Sequence, residues 1–238
     1  MQTNSNTYTI IYAFGMTFIV AVILALAASG LKPMQDKNVD LANKRDILKS
    51  VGLGNVADVE AVYSKSITEY VVNYKGESVE KDASGNKLVA SKIDVRTESR
   101  KPLEERYLPI YKFTSDNNDI VYIVPLRGSG LWDEIWGFVA LKDDFKTVFG
   151  ASFDHKSETP GLGAEIATAA FQAQFPGKVI FDEKGNYTSV EVVKGNKSNP
   201  EYQVDGISGG TITSDGVSDM LYSDIKDYLP FFEKLKKG

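Results

Sequence analysis

Hydrophobic and polar positions divide the chain into a membrane-like start and a patterned remainder. From Tyr8 to Leu31 the sequence is uncharged and largely apolar, with Ile10, Phe14, Phe18, Val22 and Leu26 spread along its length. A helix of about 20 such residues crosses a hydrocarbon layer of roughly 30 Å. Tyr8 and Tyr12 suit one interface of that layer. A cleaved signal peptide is the competing reading, since Ala25-Leu26-Ala27 has the small-x-small form. Two features oppose it: no basic residues precede the run, and the run exceeds the usual apolar region of about 7 to 15 residues. Residues 1–34 are therefore expected to be a transmembrane anchor. Residues 35–54 follow as a juxtamembrane helix, whose narrow apolar stripe of Val39, Ala42, Ile47, Leu48 and Val51 ends at Gly52 and Gly54.

The pattern beyond Gly54 changes to short runs rich in β-branched and aromatic residues. Tyr70–Tyr74, Tyr107–Phe113, Ile120–Leu126, Ile135–Leu141, Val148–Phe153, Val179–Phe181 and Tyr187–Val193 read as strands. Turn signals such as Asp116-Asn117-Asn118-Asp119 and Glu183-Lys184-Gly185-Asn186 separate most of them. One helix is expected at about Gly163–Phe175, closed by Pro176-Gly177, and another after Thr211, where Val217, Met220, Leu221, Ile225, Tyr228 and Phe232 recur at helical spacing. The charged stretch from Lys75 to Arg106 reads as a loop or an edge strand pair. Connections this short favour hairpins, so the expected fold class is α+β: a mostly antiparallel sheet with packed helices, over residues 55–238, preceded by the single transmembrane helix.

Composition narrows the chemistry. The chain has 238 residues, no cysteine and one histidine, His155. Disulfides, thiolate metal sites, iron–sulfur clusters and thiol nucleophiles are excluded, and one imidazole with no neighbouring ligand or nucleophile elbow gives no metal site and no catalytic residue. Every Lys, Arg, Asp and Glu follows Leu31, so the net charge of −5 belongs to the residues after the apolar run. With no basic stripe, that acidity argues against nucleic-acid binding.

Two glycine-rich segments remain. In Asp205-Gly206-Ile207-Ser208-Gly209-Gly210-Thr211-Ile212-Thr213, small residues leave the Thr211 hydroxyl open to a bulky reagent. A helix start just after it favours an anionic phosphate, with Ser208 and Thr213 hydroxyls nearby and Ser214 as a cap. The same residues also read as a glycine-rich turn into a capped helix. In Ser157-Glu158-Thr159-Pro160-Gly161-Leu162-Gly163, Glu158 and Thr159 bring polar groups to a loop stiffened by Pro160, and this too reads as a Pro-Gly turn. Gly128-Ser129-Gly130-Leu131-Trp132 lacks the third glycine of a dinucleotide fingerprint, and no Walker loop is present, so the chain is not expected to bind NADH itself. Trp132 is a flat partner for an aromatic ring or a core residue of a hairpin. Lys194 follows a strand within reach of a phosphate or faces solvent.

Taken together and in order, Arg127–Trp132, Trp136-Gly137-Phe138-Val139-Ala140, Glu158–Gly163 and Asp205–Thr213 resemble the C-subunit family of the Na+-translocating NADH:quinone reductases. That family lies within the FMN-binding domain family, which it shares with the G subunits of Rnf complexes. The resemblance implies FMN joined to Thr211 through a phosphoester, by a separate Mg2+-dependent flavin transferase that uses FAD. It places Ser208, Gly209, Gly210, Ile212 and Thr213 around the phosphate, and Glu158, Thr159, Leu162, Gly163 and Trp132 along the ring, with Lys194 as a further candidate. Gly210 departs from the usual Ser-Gly-Ala-Thr. The implied role is electron relay beside the other subunits of the complex, in a bacterial inner membrane with the FMN domain in the periplasm. The positive-inside rule points the other way, because Lys32, Lys37, Lys44, Arg45 and Lys49 all follow the apolar run and none precedes it. The alternatives are an Rnf-type G subunit working with ferredoxin and NAD, and a cofactor-free membrane-anchored binding module.

Overall fold

A computed structural model describes residues 6–237. Helix α1 runs from Asn6 to Ser50. An 18-residue window within it has a mean hydropathy of 2.6, so by length and composition it is able to cross a membrane. Its apolar side chains, Phe14 and Leu26 among them, are exposed. Such a surface is stable in lipid and not in water. The chain divides into two compact units, Met1–Ala42 and Asn43–Gly238.

The second unit is an α+β domain, as the sequence predicts. Strands β1 (Ile67–Val72), β2 (Leu108–Thr114), β3 (Ile120–Ser129), β4 (Glu134–Lys142) and β5 (Val148–His155) form one antiparallel sheet in the order β1-β2-β3-β4-β5. Both faces of this sheet are covered, which explains why the central strands read as nearly continuous apolar runs. Alternation along β3 sends Tyr122, Val124 and Leu126 into one core and Val121 and Ile123 into the other. The register keeps faces matched across strands: Val124 pairs with Val139 in the first core, and Ile123 with Ala140 in the second. The first core is closed by α5 (Thr211–Lys237) through Val217, Met220, Leu221, Ile225 and Phe232. The second is closed by the end of α1, at Ile47 and Leu48, and by α2 (Val59–Ser66), at Val59 and Tyr63. Asp58 caps α2 by accepting from Ala61 N at 3.0 Å.

Several elements differ from the sequence expectation. The predicted helix at Gly163–Phe175 splits into a 3-10 turn, Gly163–Ala167, and a short helix α4, Ala169–Gln172. Thr168 stands between them with extended backbone (ψ 150°). Its hydroxyl donates to Glu165 O at 2.7 Å, ending the first turn, and accepts from Phe171 N to cap the second. Burial of Ile166, Phe171 and Phe175 in one core drives this break, because a continuous helix does not aim all three inward. Val179–Phe181 forms isolated bridges only, and Tyr187–Val193 shortens to β6 (Glu191–Val193). Strand β6 pairs in parallel with β7 (Gln203–Asp205), which the sequence pattern does not announce. Lys75–Arg106 holds bridges at 78 and 81, two 3-10 turns and a one-turn helix, α3 (Val95–Glu98).

A titratable group sits inside the α5–β3 contact. Asp224 Oδ2 accepts from Arg127 N at 2.6 Å. Burial is the main cause that pushes its carboxyl up to about 7; the Arg127 N–H opposes this, and Asp227 adds to it. The folded protein therefore holds this proton between the ordinary carboxylate value of about 3.9 and pH 7, whereas the unfolded chain has released it. Stability falls as pH rises through that window. The expected loss across that window is on the order of 2 to 4 kcal/mol. Asp224→Asn is expected to be more stable than the parent above pH 7 and indistinguishable from it near pH 4, as read by urea unfolding at the two pH values.

Candidate functional site

The two glycine-rich segments converge at the N-terminus of α5. Leu131, Trp132, Glu158, Thr159, Leu162, Gly163, Gly209, Gly210, Thr211, Ile212 and Thr213 line one open cleft of about 180 Å³. Three connections build it: the β3–β4 turn brings Leu131 and Trp132, the segment after β5 brings Glu158–Gly163, and the turn after β7 brings Gly209–Thr213.

Local geometry explains each piece. Gly210 N donates to Ile207 O at 3.0 Å, closing a tight turn, and Ser214 Oγ accepts from Ile207 N at 3.1 Å. Ser214 thus braces the turn from inside the first turn of the helix rather than capping it. Gly209 has φ +78°, so the backbone favours glycine there; a methyl would meet only the movable end of Leu162, at Cδ2. Gly210, the departure from the family's alanine, faces Ile207 Cγ2 at 3.0 Å and Gly163 N at 3.3 Å from its would-be Cβ. The half-buried Ile207 occupies the space an alanine methyl would take.

Helix geometry leaves the N–H groups of Thr211, Ile212 and Thr213 without intrahelical acceptors, and the positive end of the helix dipole lies there too. The Thr211 side chain is exposed at this point. Around it, Trp132 is 68% and Ile212 56% exposed, with Leu131 and Leu162 also open to solvent. A hydroxyl, three free amides and apolar walls thus occur together, which is the set of contacts a phosphorylated aromatic ligand satisfies. No group of three or more His, Cys, Asp or Glu capable of holding a metal exists among the described residues.

The polar centre of the site is Glu158, only 4% exposed. Its Oε1 accepts from Trp132 N at 2.9 Å and its Oε2 from the Thr213 hydroxyl at 2.6 Å. Burial raises its carboxyl, but the Thr213 hydroxyl and the backbone N–H groups of Trp132, Asp133 and Leu131 outweigh burial and hold it below the ordinary value. The Thr213 proton is committed to this carboxylate, so what Thr213 has to offer an anion is its backbone N–H. His155 enters here as well: its Nδ1 accepts from Glu158 N at 3.2 Å, which places the neutral-ring proton on Nε2. The sequence pattern assigns His155 no part, and only its position two residues before Ser157-Glu158 hints at one. Leu131 likewise carries no signal of its own, although it adjoins Trp132.

Ser208 and Lys194 do not line the cleft. Both are exposed, Ser208 in the turn that precedes Gly209 and Lys194 beyond the end of β6.

Comparison with known proteins agrees with this geometry. The FMN-binding domain model matches residues 130–226, a span that contains every cleft residue. The C subunit of the Na+-translocating NADH-quinone reductase of Pseudomonas aeruginosa is 33% identical over 98% of this chain and 97% of its own length. The chain belongs to the C-subunit family of the Na+-translocating NADH-quinone reductases. The Neisseria meningitidis serogroup B member is 34% identical, over 99% of this chain and 96% of its own. Among solved structures, the Parabacteroides distasonis member superposes with a TM-score of 0.75 at 37% identity, covering 85% of this chain and 96% of that one. The Shewanella oneidensis member gives a TM-score of 0.70 at 26% identity, covering 84% of this chain and 98% of that one. Family membership thus extends over the apolar helix as well as the cleft.

Proposed function

We propose that this chain is the FMN-carrying electron-relay subunit of a Na+-translocating NADH-quinone reductase, with the flavin phosphate esterified to Thr211. The observation that carries this reading is the exposed Thr211 hydroxyl at a helix N-terminus, beside an open cleft of about 180 Å³ with apolar walls. The flavin, when bound, supplies one-electron redox chemistry. The chain supplies the rest: Thr211 Oγ tethers the group, the first N–H groups of α5 offset the phosphate charge, and Trp132, Leu162 and Ile212 cover the ring. Glu158, Thr159, Gly163, Gly209, Gly210 and Thr213 complete the cradle, while Ser208 and Lys194 are left to outer contacts with phosphate. A tether prevents loss of a carrier whose site is open on one side. No residue is assigned to substrate turnover; NADH, quinone and Na+ belong to the other subunits.

Helix α1 anchors the chain in the inner membrane, with residues 55–238 as the flavin domain in the periplasm. The flavin transferase then acts on that side. Attachment is tested by a denaturing gel viewed under ultraviolet light after co-expression with a flavin transferase: yellow-green emission is expected to migrate with this chain, and its absence removes the reading. Topology is tested by labelling a cysteine introduced at exposed Ser84 with a membrane-impermeant maleimide in intact spheroplasts. Labelling is expected; labelling only after lysis places the domain in the cytoplasm.

A further inference from the structure

Glu158 is the one carboxylate lining the cleft, and nearly all of its hydrogen-bonding capacity is spent on the protein. One oxygen holds Trp132 N at 2.9 Å and the other holds the Thr213 hydroxyl at 2.6 Å. Those partners lie on two different walls, the β3–β4 turn and the first turn of α5. A third wall is tied in through Glu158 itself, whose N–H donates to His155 Nδ1 at 3.2 Å. Two glycines make room for this carboxylate. A Cβ on Gly130 would meet Glu158 Oε1 at 2.5 Å, and a Cβ on Gly163 would overlap Glu158 Oε2 and lie 2.5 Å from Thr213 Oγ1.

We propose that Glu158 is a positioning residue: its buried carboxylate ties the Trp132 turn to the first turn of α5, and so holds the cleft and the Thr211 tether in the geometry that flavin attachment and flavin redox chemistry need. The proposal rests on the FMN reading of the site. It goes beyond a direct flavin contact, because each carboxylate oxygen already accepts from a protein donor on a different wall of the cleft. It also differs from ordinary core packing, because the bonded partners are a backbone N–H and a hydroxyl on segments that share no sheet register with each other. A buried charge-assisted bond of this kind has a directional effect that an apolar replacement does not reproduce. Glutamine preserves part of it: its amide oxygen still accepts from Trp132 N, and its amide NH2 donates to a rotated Thr213 hydroxyl. Alanine preserves none.

The experiment compares wild type, Glu158→Gln and Glu158→Ala as full-length chains co-expressed with a flavin transferase. Flavin per chain is measured by in-gel fluorescence, and the midpoint potential on the flavin-loaded fraction. Amide hydrogen exchange of Leu131, Trp132 and Asp133 is followed in flavin-free Thr211→Val backgrounds. Expected are flavin loading near the wild-type level for Glu158→Gln and at least tenfold lower for Glu158→Ala, at equal times of co-expression. The midpoint potential in Glu158→Gln should shift upward, because a negative charge beside the ring is removed. Amide exchange at 131–133 should be fastest in Glu158→Ala and intermediate in Glu158→Gln. Equal loading, potential and exchange in all three proteins overturns the positioning role while leaving the FMN reading intact. A wild type that never acquires flavin overturns both. Exchange that rises in Glu158→Ala with no change in loading or potential also overturns the proposal, since the carboxylate then only stabilises a turn.

Discussion

Thr211→Val is expected to yield a folded protein with no covalent flavin. The side chain is exposed and its neighbours are the solvent, the cleft and the turn at Gly209-Gly210, so exchanging a hydroxyl for a methyl disturbs no buried contact. Surface changes away from packed features fall within about 0.5 kcal/mol, and the unfolding midpoint should stay near the parent value. Covalent attachment, in contrast, should fall to background, because valine has no oxygen with which to form the ester. Thr211→Ser keeps that oxygen and should retain measurable loading. Fluorescence per chain and urea unfolding separate the two effects. Undiminished fluorescence in Thr211→Val would show that another residue is the acceptor.

Gly216→Ala should be strongly destabilising, against the usual preference of helices for alanine. Gly216 lies about one and a half turns into α5, and a methyl there would overlap the backbone carbonyl of Ser129 at the end of β3. Alanine gains up to about 1 kcal/mol in helix propensity. Overpacking costs roughly 1–3 kcal/mol, and the upper end applies here because the obstacle is a strand backbone rather than a movable side chain. Ser129 is pinned by its pairing with Glu134, so α5 must move instead. The net loss is expected to be about 2 kcal/mol by urea unfolding. Displacement of the helix also shifts Thr211 away from Trp132 and Leu162, so flavin loading should fall too. An unchanged unfolding midpoint would mean that α5 and β3 do not meet this closely.

Strands β2 to β5 are legible in the sequence because each carries enough β-branched and aromatic residues to fill both cores, and because their hairpins are short. Their predicted bounds differ from the observed ones by a few residues at either end. Strand β7 is not legible: Gln203-Val204-Asp205 shows no apolar run, and its strand character comes from pairing with β6 and from Gln203 Nε2 donating to Glu191 Oε2 at 2.7 Å. The helix after Gly163 reads as continuous because alanines are compatible with any helical face, and only the positions of Phe171 and Phe175 in the core show why it breaks at Thr168. At the site, the residues near Thr211 can be read because the chemistry is local to one motif. The carboxylate bridge cannot. Glu158 meets partners 26 and 55 residues away in sequence, and nothing in the spacing says which of several polar groups its oxygens will face. The same holds for His155, whose part depends on a backbone N–H.

The bond at Thr211 is central to the proposed function, and tandem mass spectrometry of the protein co-expressed with a flavin transferase tests it most directly. The predicted result is one added mass, FMN less water, on the tryptic peptide of residues 198–226, with fragment ions that place it on Thr211. The same added mass on Ser208, Thr213 or any other residue, or a full-length chain with no added mass despite an active transferase, would contradict it.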